Sequence, residues 1–558
     1  MALRPDLLRE EEVSSLSEPR TTITETEDLE GDIMASIDRE EKGVDEKTFQ
    51  VSSEPEQDAI AEGTADEIRR AREIQGGHGF LRKMRAGEEW LDEKLGVETN
   101  GIDRIPDEKR EPPSMWNIFL IWWSLNVHVG VVPLGLLGAE FGLSLRQNIA
   151  ASICGIILGS LCTAYTGTLG PKLGLRQIAC SRYSFGFYGA KLCSVLNIVV
   201  GGGYYVVNLV VVGQILRAVS DYSMSLIVGI VIIAIVSYVI SVFGFKVIHS
   251  FEKYSWIGTF ILMCVLIAQA APHVDASVPG EDGSSGLIFA GNFLSILAIN
   301  FSNASGWCSM AADYYVNFPS TTPRWKVFTL TFFGVVIPVT WSVVIGACLG
   351  NAAVSAAYPP YAEAYTKHGL GGLMYTVYHP RGWSKFSLVI LTFSVLGNNV
   401  AVNYSSGLSL QLLGHWFHAV PRLIWSALFS IVVTVIAIAG RQHLSTIVSN
   451  FVSLLGYWTV SFTLIMLIED HFFRRRSGYN LHVWDQPSRL PLGIAAVLAL
   501  LAGYLAGGVT GMAQTWYIGP IAKKFGAYGG DVGIYMSAAI TMLVYPVART
   551  IEKKYSGR

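Results

Sequence analysis

From residue 117 to residue 548, apolar stretches of about twenty residues recur with short polar turns between them. No soluble architecture uses that pattern. A chain that crosses hydrocarbon must satisfy its backbone N–H and C=O groups internally, so stretches of this length fold as helices. A window of about 19 residues separates roughly twelve spans: 117–138, 147–167, 186–216, 224–243, 254–274, 287–312, 327–351, 386–413, 422–440, 446–468, 490–510 and 530–548. Charged residues make up only 15% of the 558-residue chain, against about 25% in soluble domains. The fold class is an all-α membrane protein.

The flanks differ from this core. Residues 1–77 are rich in Glu, Asp, Ser and Thr and poor in aromatics, which predicts a disordered tail without a signal peptide. Its Ser, Thr and Lys residues make it a candidate for ubiquitination machinery. Residues 78–115 place Phe80, Leu81, Met84, Trp90, Leu91 and Leu95 at near-helical spacing and predict a juxtamembrane segment. A long hydrophilic N-terminal tail favours a cytoplasmic start. An even count of spans then puts residues 551–558 on the same side. Lys172, Arg176, Arg182, Lys246, Lys253, Arg324, Lys326, Arg422, Arg474, Arg475, Arg476 and Arg489 fall in the loops this assigns to the inside, whereas 275–286 holds no Lys or Arg. The expected location is the plasma membrane.

Several classes are excluded. A net charge of −3 argues against nucleic acid as a partner. The seven cysteines lie in or beside apolar stretches without metal-ligand spacing and read as packing thiols. No nucleophile elbow, zinc-protease motif or Walker A lysine is present, so the chain reads as no enzyme and no ATP-driven pump. Energy must then come from an ion gradient, and the expected cofactor list is empty apart from a coupling ion.

Two spans look interrupted. The first holds Gly130, Pro133, Gly135 and Gly138. The sixth holds Asn300, Ser302, Asn303, Ser305, Gly306, Trp307 and Ser309. Amides and hydroxyls facing lipid cost several kcal/mol each when unpaired, so such a run lines a cavity or a pathway. Breaks in spans one and six predict an inverted 5+5 repeat with solute bound near the midplane. The repeats are 117–274 and 287–468, and 490–548 supplies two additional helices.

Other spans carry polar groups that fit such a site. Ser124, Asn126 and His128 precede the first break, and His128 reads more readily as a packing residue than as a ligand. Tyr204 and Asn208 stand four residues apart on one face of span three, after Gly201, Gly202 and Gly203. Gln214 on the same helix reads as structural. Span eight carries Asn398, Asn399 and Asn403, and an amide offers both donors and an acceptor for the mixed edge of a heterocycle. Asn300 and Asn303 read as supports of the helix break. Among the scarce acids, Glu140 and Asp313 read as boundary ion pairs, Asp313 with Arg324, and Glu252 is the proton-coupling candidate.

Five pieces in order resemble the nucleobase:cation symporter family, in its fungal purine–cytosine permease branch. They are Gly101-Ile102-Asp103-Arg104-Ile105-Pro106, Trp122-Trp123-Ser124-Leu125-Asn126, His249-Ser250-Phe251-Glu252, Gly306-Trp307 with Ala311-Ala312-Asp313-Tyr314, and Asn398-Asn399 with Tyr404-Ser405 and Leu408-Ser409-Leu410-Gln411. The resemblance implies a LeuT-like fold and import of cytosine and purines, usually with protons. It implies stacking of the base on Tyr204 and Trp307. Ser124, Asn126, Asn208, Asn398 and Asn399 match the family's polar contacts, and Glu252 its carboxylate. Two departures stand out. Tyr204 stands where the permeases usually have Trp. Ala401 and Val402 stand where the pattern Asn-Asn-Ile-Pro-Asn has Pro and a polar residue. The lost amide keeps another heterocycle, such as pyridoxine, uracil or allantoin, as an alternative, and a non-transporting nutrient receptor is the alternative of another class.

Overall fold

The first apolar stretch does not form one helix. In the computed structural model, Met115–Asn126 (α1) ends in a non-helical stretch, and the chain resumes as Val132–Glu140 (α2) with Pro133 in its first turn. The structure describes residues 102–242, 245–280, 286–354, 358–414, 417, 420–526 and 529–558, with backbone alone for 242, 245–253 and 354. The tail 1–77 and most of the juxtamembrane segment therefore lie outside the described residues. Of that segment, 102–114 is described and holds a single 3-10 turn, Asp107–Lys109. Buried Arg110 ties it to the carbonyls of Ile105, Pro171 and Phe318.

The helices that follow are Leu145–Gly167 (α3), Leu169–Leu173 (α4), Gln177–Val219 (α5), Leu226–Val242 (α6) and Phe245–Ala270 (α7). Ser144 and Gln147 start α3 with a reciprocal capping box. The Asp313 carboxylate accepts the Gln177 N–H at 2.7 Å, placing an anion at the N-terminus of α5. Leu287–Ser305 (α8) then breaks into two 3-10 turns, Gly306–Ser309 and Ala311–Tyr314.

Beyond the break come Arg324–Val354 (α9), Pro359–Val377 (α10), Arg381–Phe393 (α11), Leu396–Gln411 (α12), Arg422–Gly440 (α13) and Leu444–Ile468 (α14). Ile494–Ala502 (α15), Val509–Gly511 (α16) and Gly533–Ser556 (α17) complete the chain. A π-helical segment, Gly503–Gly508, joins α15 to α16. Among the described residues, β pairing is limited to one bridge between Ala513 and Ile518.

Among the described residues, ten helical stretches are long and apolar enough to cross a membrane, among them α3 with α4 (Leu145–Leu173) and α11 with α12 (Arg381–Gln411). The two further spans read from the sequence coincide with the broken α1–α2 pair and the shorter Leu226–Ser241. Small residues set the closest helix approaches. A Cβ on Gly155 or Gly159 of α3 would lie 2.2 Å from the carbonyl oxygen of Leu297 or Phe301 on α8. Only glycine permits that approach, which is how apolar helices pack without water to drive them together.

Three expectations change. Span three begins at Gln177, because the helix continues through a kink at Gly186 (φ 66°). The helix α10 escaped hydropathy because its Tyr, Glu, Lys and His residues and its Gly369 kink interrupt any apolar window. Arg324 does not pair with Asp313 but with Asp470, at 3.0 Å.

Asp470 opens a charged rim at the end of α14, in the π-helical Glu469–Phe473. Its carboxylate, buried, is held by Lys172 at 2.6 Å, Arg324, the Tyr479 hydroxyl at 3.0 Å and the Tyr165 hydroxyl at 3.4 Å. Its neighbour Glu469 is held by Arg474 at 2.9 Å, Arg549 at 3.0 Å and the Tyr545 hydroxyl at 2.8 Å. One helix end is thereby fastened to α4, α9 and α17.

Candidate functional site

Both helix breaks open onto one cavity. Asn126, His128, Gly130, Val131 and Leu134 line it from the first break, and Asn303, Gly306, Trp307 and Met310 from the second. Val200, Tyr204, Val207 and Asn208 come from α5, Asn398 and Val402 from α12, and Val448 and Val452 from α14. The space open to the centre of a water-sized sphere is about 30 Å³, room for about two or three waters. None of the lining residues is Asp, Glu, Lys or Arg. Charge is expensive in such a place, whereas amides and rings bind a neutral polar solute.

Three asparagines form the polar wall. Asn208 Nδ2 donates to Asn398 Oδ1 at 3.0 Å and to Asn399 Oδ1 at 2.8 Å. Asn398 Nδ2 donates to the carbonyl of Leu125, one of those near the end of α1 that have no partner within the helix, at 3.2 Å. Asn399 Nδ2 donates to Ser237 Oγ on α6 at 3.1 Å. The chain of amides thus ties α1, α5, α6 and α12 together around the break. A Cβ on Gly130 would sit 1.8 Å from Asn208 Oδ1, so the broken backbone lies directly against this amide.

The aromatic wall is Trp307 and Tyr204. Trp307 Nε1 donates to Asn126 Oδ1 at 3.1 Å, and Asn126 Nδ2 donates to the Trp122 carbonyl at 2.8 Å. Trp122 meets Trp307 edge-on, with ring centroids 5.6 Å apart. These contacts fix the indole plane. The Tyr204 hydroxyl donates to the Ser302 carbonyl at 3.2 Å, and its ring lies over Gly306, where a Cβ would come within 3.0 Å. The helix break therefore makes room for the ring.

Of the residues singled out from sequence, Asn126, Tyr204, Asn208, Trp307 and Asn398 line the cavity. Asn399 stands behind Asn208 without lining it. Ser124 turns to Ser255 Oγ on α7, 3.4 Å away. Glu252 lies on α7 with its side chain outside the described residues. Gln214 lines a second cavity, with Arg217, His368 and Arg441.

The sequence makes Asn303 a support for the break, yet its amide lines the cavity and makes no side-chain hydrogen bond within the described residues. Its place in the last turn of α8, three residues before Gly306, was the available signal. His128 also lines the cavity, and its Nδ1 accepts the Gly130 N–H at 3.2 Å. The Val402 departure falls on this wall too, packed against Gly201.

Residues 104–533 match the family model described as permease for cytosine/purines, uracil, thiamine, allantoin. The vitamin B6 transporter TPN1 of Saccharomyces cerevisiae is 33% identical over 536 residues, 86% of this chain and 92% of that protein. The purine-cytosine permease FCY2 of the same yeast is 31% identical over 552 residues, covering 97% of this chain and all of that protein (100%). Among solved structures, Mhp1, a nucleobase-cation-symport-1 family transporter in a closed conformation with bromovinylhydantoin bound, matches with a TM-score of 0.63 at 14% identity, over 83% of this chain and 96% of that one. That likeness shows that the two chains share a fold.

Proposed function

This chain belongs to the family of permeases for cytosine/purines, uracil, thiamine and allantoin, and we propose that it is a secondary active importer of a nucleobase such as cytosine or a purine. It is a membrane transporter and not an enzyme. The observation that carries the solute class is the lining itself: amides and aromatic rings at two helix breaks, without a charged carboxylate, ammonium or guanidinium. In this reading Trp307 is the stacking surface and Tyr204 the facing ring. Asn208, Asn398, Asn303 and Asn126 read the edge of the solute. Asn399 positions Asn208 from behind, and Ser124 acts from the far side of α1. Because the cavity admits only a few waters, a planar ring enters and leaves by movement of the walls, which is alternating access.

The coupling ion in this reading is the proton, with Glu252 as the carrier assigned from the sequence pattern. Location in the plasma membrane with both termini cytoplasmic completes it.

One observation favours a second solute. Val402 places an apolar side chain on the cavity wall where the permease pattern has an amide. A site with one fewer polar partner discriminates differently, because unpaired buried polar groups are what reject a wrong ring. Pyridoxine is the alternative this supports, and TPN1 bears the name of a vitamin B6 transporter. A competition panel separates the readings: uptake by the wild type, with unlabelled cytosine, adenine, hypoxanthine, uracil, allantoin and pyridoxine as competitors. Competition by cytosine or a purine supports the nucleobase reading. Competition by pyridoxine alone replaces it with the second, and competition by none overturns both.

A further inference from the structure

Four carboxylates are buried among the described residues: Glu469, Asp470, Asp531 and Glu552. Three have a guanidinium or ammonium against them. Glu469 has Arg474 and Arg549, Asp470 has Lys172 and Arg324, and Glu552 has Arg549 at 2.9 Å. Asp531 is 1% exposed and has none. It is held by neutral donors alone. Tyr457 Oη donates at 2.5 Å, the Gly533 N–H at 3.0 Å, Gln514 Nε2 at 3.2 Å and the Ala513 N–H at 3.5 Å. Among the described residues, three other carboxylates are buried against a cation; this one is buried without one.

Its position joins the two walls of the cavity. Asp531 lies in the loop between α16 and α17. Tyr457 is on α14, the helix whose Val448 and Val452 line the cavity. The Asp531 N–H donates to Ser295 Oγ at 2.9 Å, and Ser295 is on α8, whose far end carries Asn303 and leads into Trp307. One residue therefore fastens both α8 and α14 to the loop.

We propose that Asp531 is a proton-binding site, through which acidity on the 512–532 face of the membrane acts on the two helices that wall the cavity. With the carboxylate charged, the Tyr457 bond is charge-assisted and holds α14 firmly. Binding a proton weakens that one bond while relieving the larger cost of burying the charge, so the link and the stability of the fold respond in opposite directions. The surroundings contain nothing that competes for the role. Tyr457 faces Asp531 from α14, with Tyr504 beside Tyr457 at a ring distance of 5.9 Å. Tyr535 stands on α17, within electrostatic reach of Asp531 and of Cys154 on α3. Ser295 and Asn292 of α8 do not titrate. Lys523 and Lys524 of the same loop are exposed and make no ion pair with it. Burial pushes the Asp531 carboxyl up to about 6, against donors that pull it down. Its proton equilibrium thus falls in the range an external medium spans.

The sign of the stability effect follows. A carboxyl raised above its unfolded value of 3.8 favours the folded state when protonated. That contribution is full below pH 3.8 and is lost as pH rises through about 6. The test uses the purified full chain in detergent, with melting temperatures at about pH 5 and about pH 7.5, on either side of that equilibrium. Relative to Asp531→Asn, the wild type loses several degrees at the higher pH, and Asp531→Glu retains a pH-dependent difference. This arm needs no solute, so its failure is distinct from failure of the transport reading.

In cells, the apparent KM of the wild type changes severalfold across an inflection near pH 6, and Asp531→Asn flattens it. Tyr457→Phe removes one donor to the charged form and moves the inflection up by about one unit. A melting difference equal at both pH values overturns the proposal. So does a wild-type pH profile in Asp531→Asn. Should that variant fail to accumulate, an unmoved inflection in Tyr457→Phe overturns it as well.

Discussion

The cavity and the rim at the end of α14 are both polar clusters inside an apolar bundle, and they are built on opposite rules. At the rim, Glu469 and Asp470 are saturated: each oxygen meets a cation or a hydroxyl, and the partners come from α4, α9, α17 and the segment after α14. At the cavity, full charges are absent and hydrogen bonding is left incomplete. Asn208 spends both amide hydrogens on Asn398 and Asn399, while its oxygen and the amide of Asn303 have no protein partner within the described residues. A saturated cluster fixes helices to one another. An unsaturated neutral one holds affinity in reserve for something that arrives. Damage to the rim should therefore appear as lost protein, and damage to the cavity as lost transport by protein that is still there.

The sharpest way to break this contrast is Glu469→Gln. Removing the charge leaves Arg549, itself buried, with Glu552 as its one remaining carboxylate partner, and Arg474 without its carboxylate. A cost of about 3–5 kcal/mol is expected, read as a collapse of detergent-stable protein in size-exclusion chromatography. Normal yield with impaired uptake would reverse the assignment.

Next is Gly130→Ala. The added Cβ would lie 1.8 Å from Asn208 Oδ1, so the amide must move. Uptake should fall at least about tenfold (~1.4 kcal/mol) while the protein still reaches the surface, as surface biotinylation would report. A variant with wild-type uptake would show that the amide's position is not critical.

A smaller effect is expected from Trp307→Phe, which keeps a ring but loses the bond from Nε1 to Asn126. The loss is about 1 kcal/mol, roughly fivefold in apparent affinity. An unchanged KM would show that the bond to Asn126 does not set the ring for the solute.

The control is Lys367→Ala. Lys367 pairs with Glu363 four residues earlier, but the two side chains are 62% and 63% exposed. Neither melting temperature nor uptake should shift beyond about 0.5 kcal/mol. A larger change would mean that α10 has a role the pair alone does not explain.

Much of the cavity was legible in the sequence because hydrocarbon is an unforgiving solvent. An Asn in an apolar run has to bond something, so Asn126, Asn208 and Asn398 announced themselves by residue type and depth. Trp307 was marked by the Gly306 beside it. What sequence could not give was direction around the helix. Asn303 and Asn300 looked alike, yet Asn300 is fully buried and bonds Ser152 and the Ile296 carbonyl, whereas Asn303 meets the cavity. Ser124 sits two residues from Asn126 and so turns to a different neighbour. The rim was less legible still. The pairing of Asp470 with Lys172 spans 298 residues and that with Arg324 spans 146, distances at which no local pattern operates. The partner assigned to Arg324 from proximity in sequence, Asp313, instead caps α5. Helix α10 was invisible to hydropathy because it is polar along much of its length.

The central claim is that the unsaturated amide wall binds the transported solute. Its most direct test is Asn208→Ala, measured as accumulation of the radiolabelled competitor from the panel in transporter-deficient yeast, with surface abundance matched to the wild type. The account predicts at least a hundredfold loss of uptake, about 3 kcal/mol, at unchanged abundance. Wild-type accumulation by that variant would contradict it.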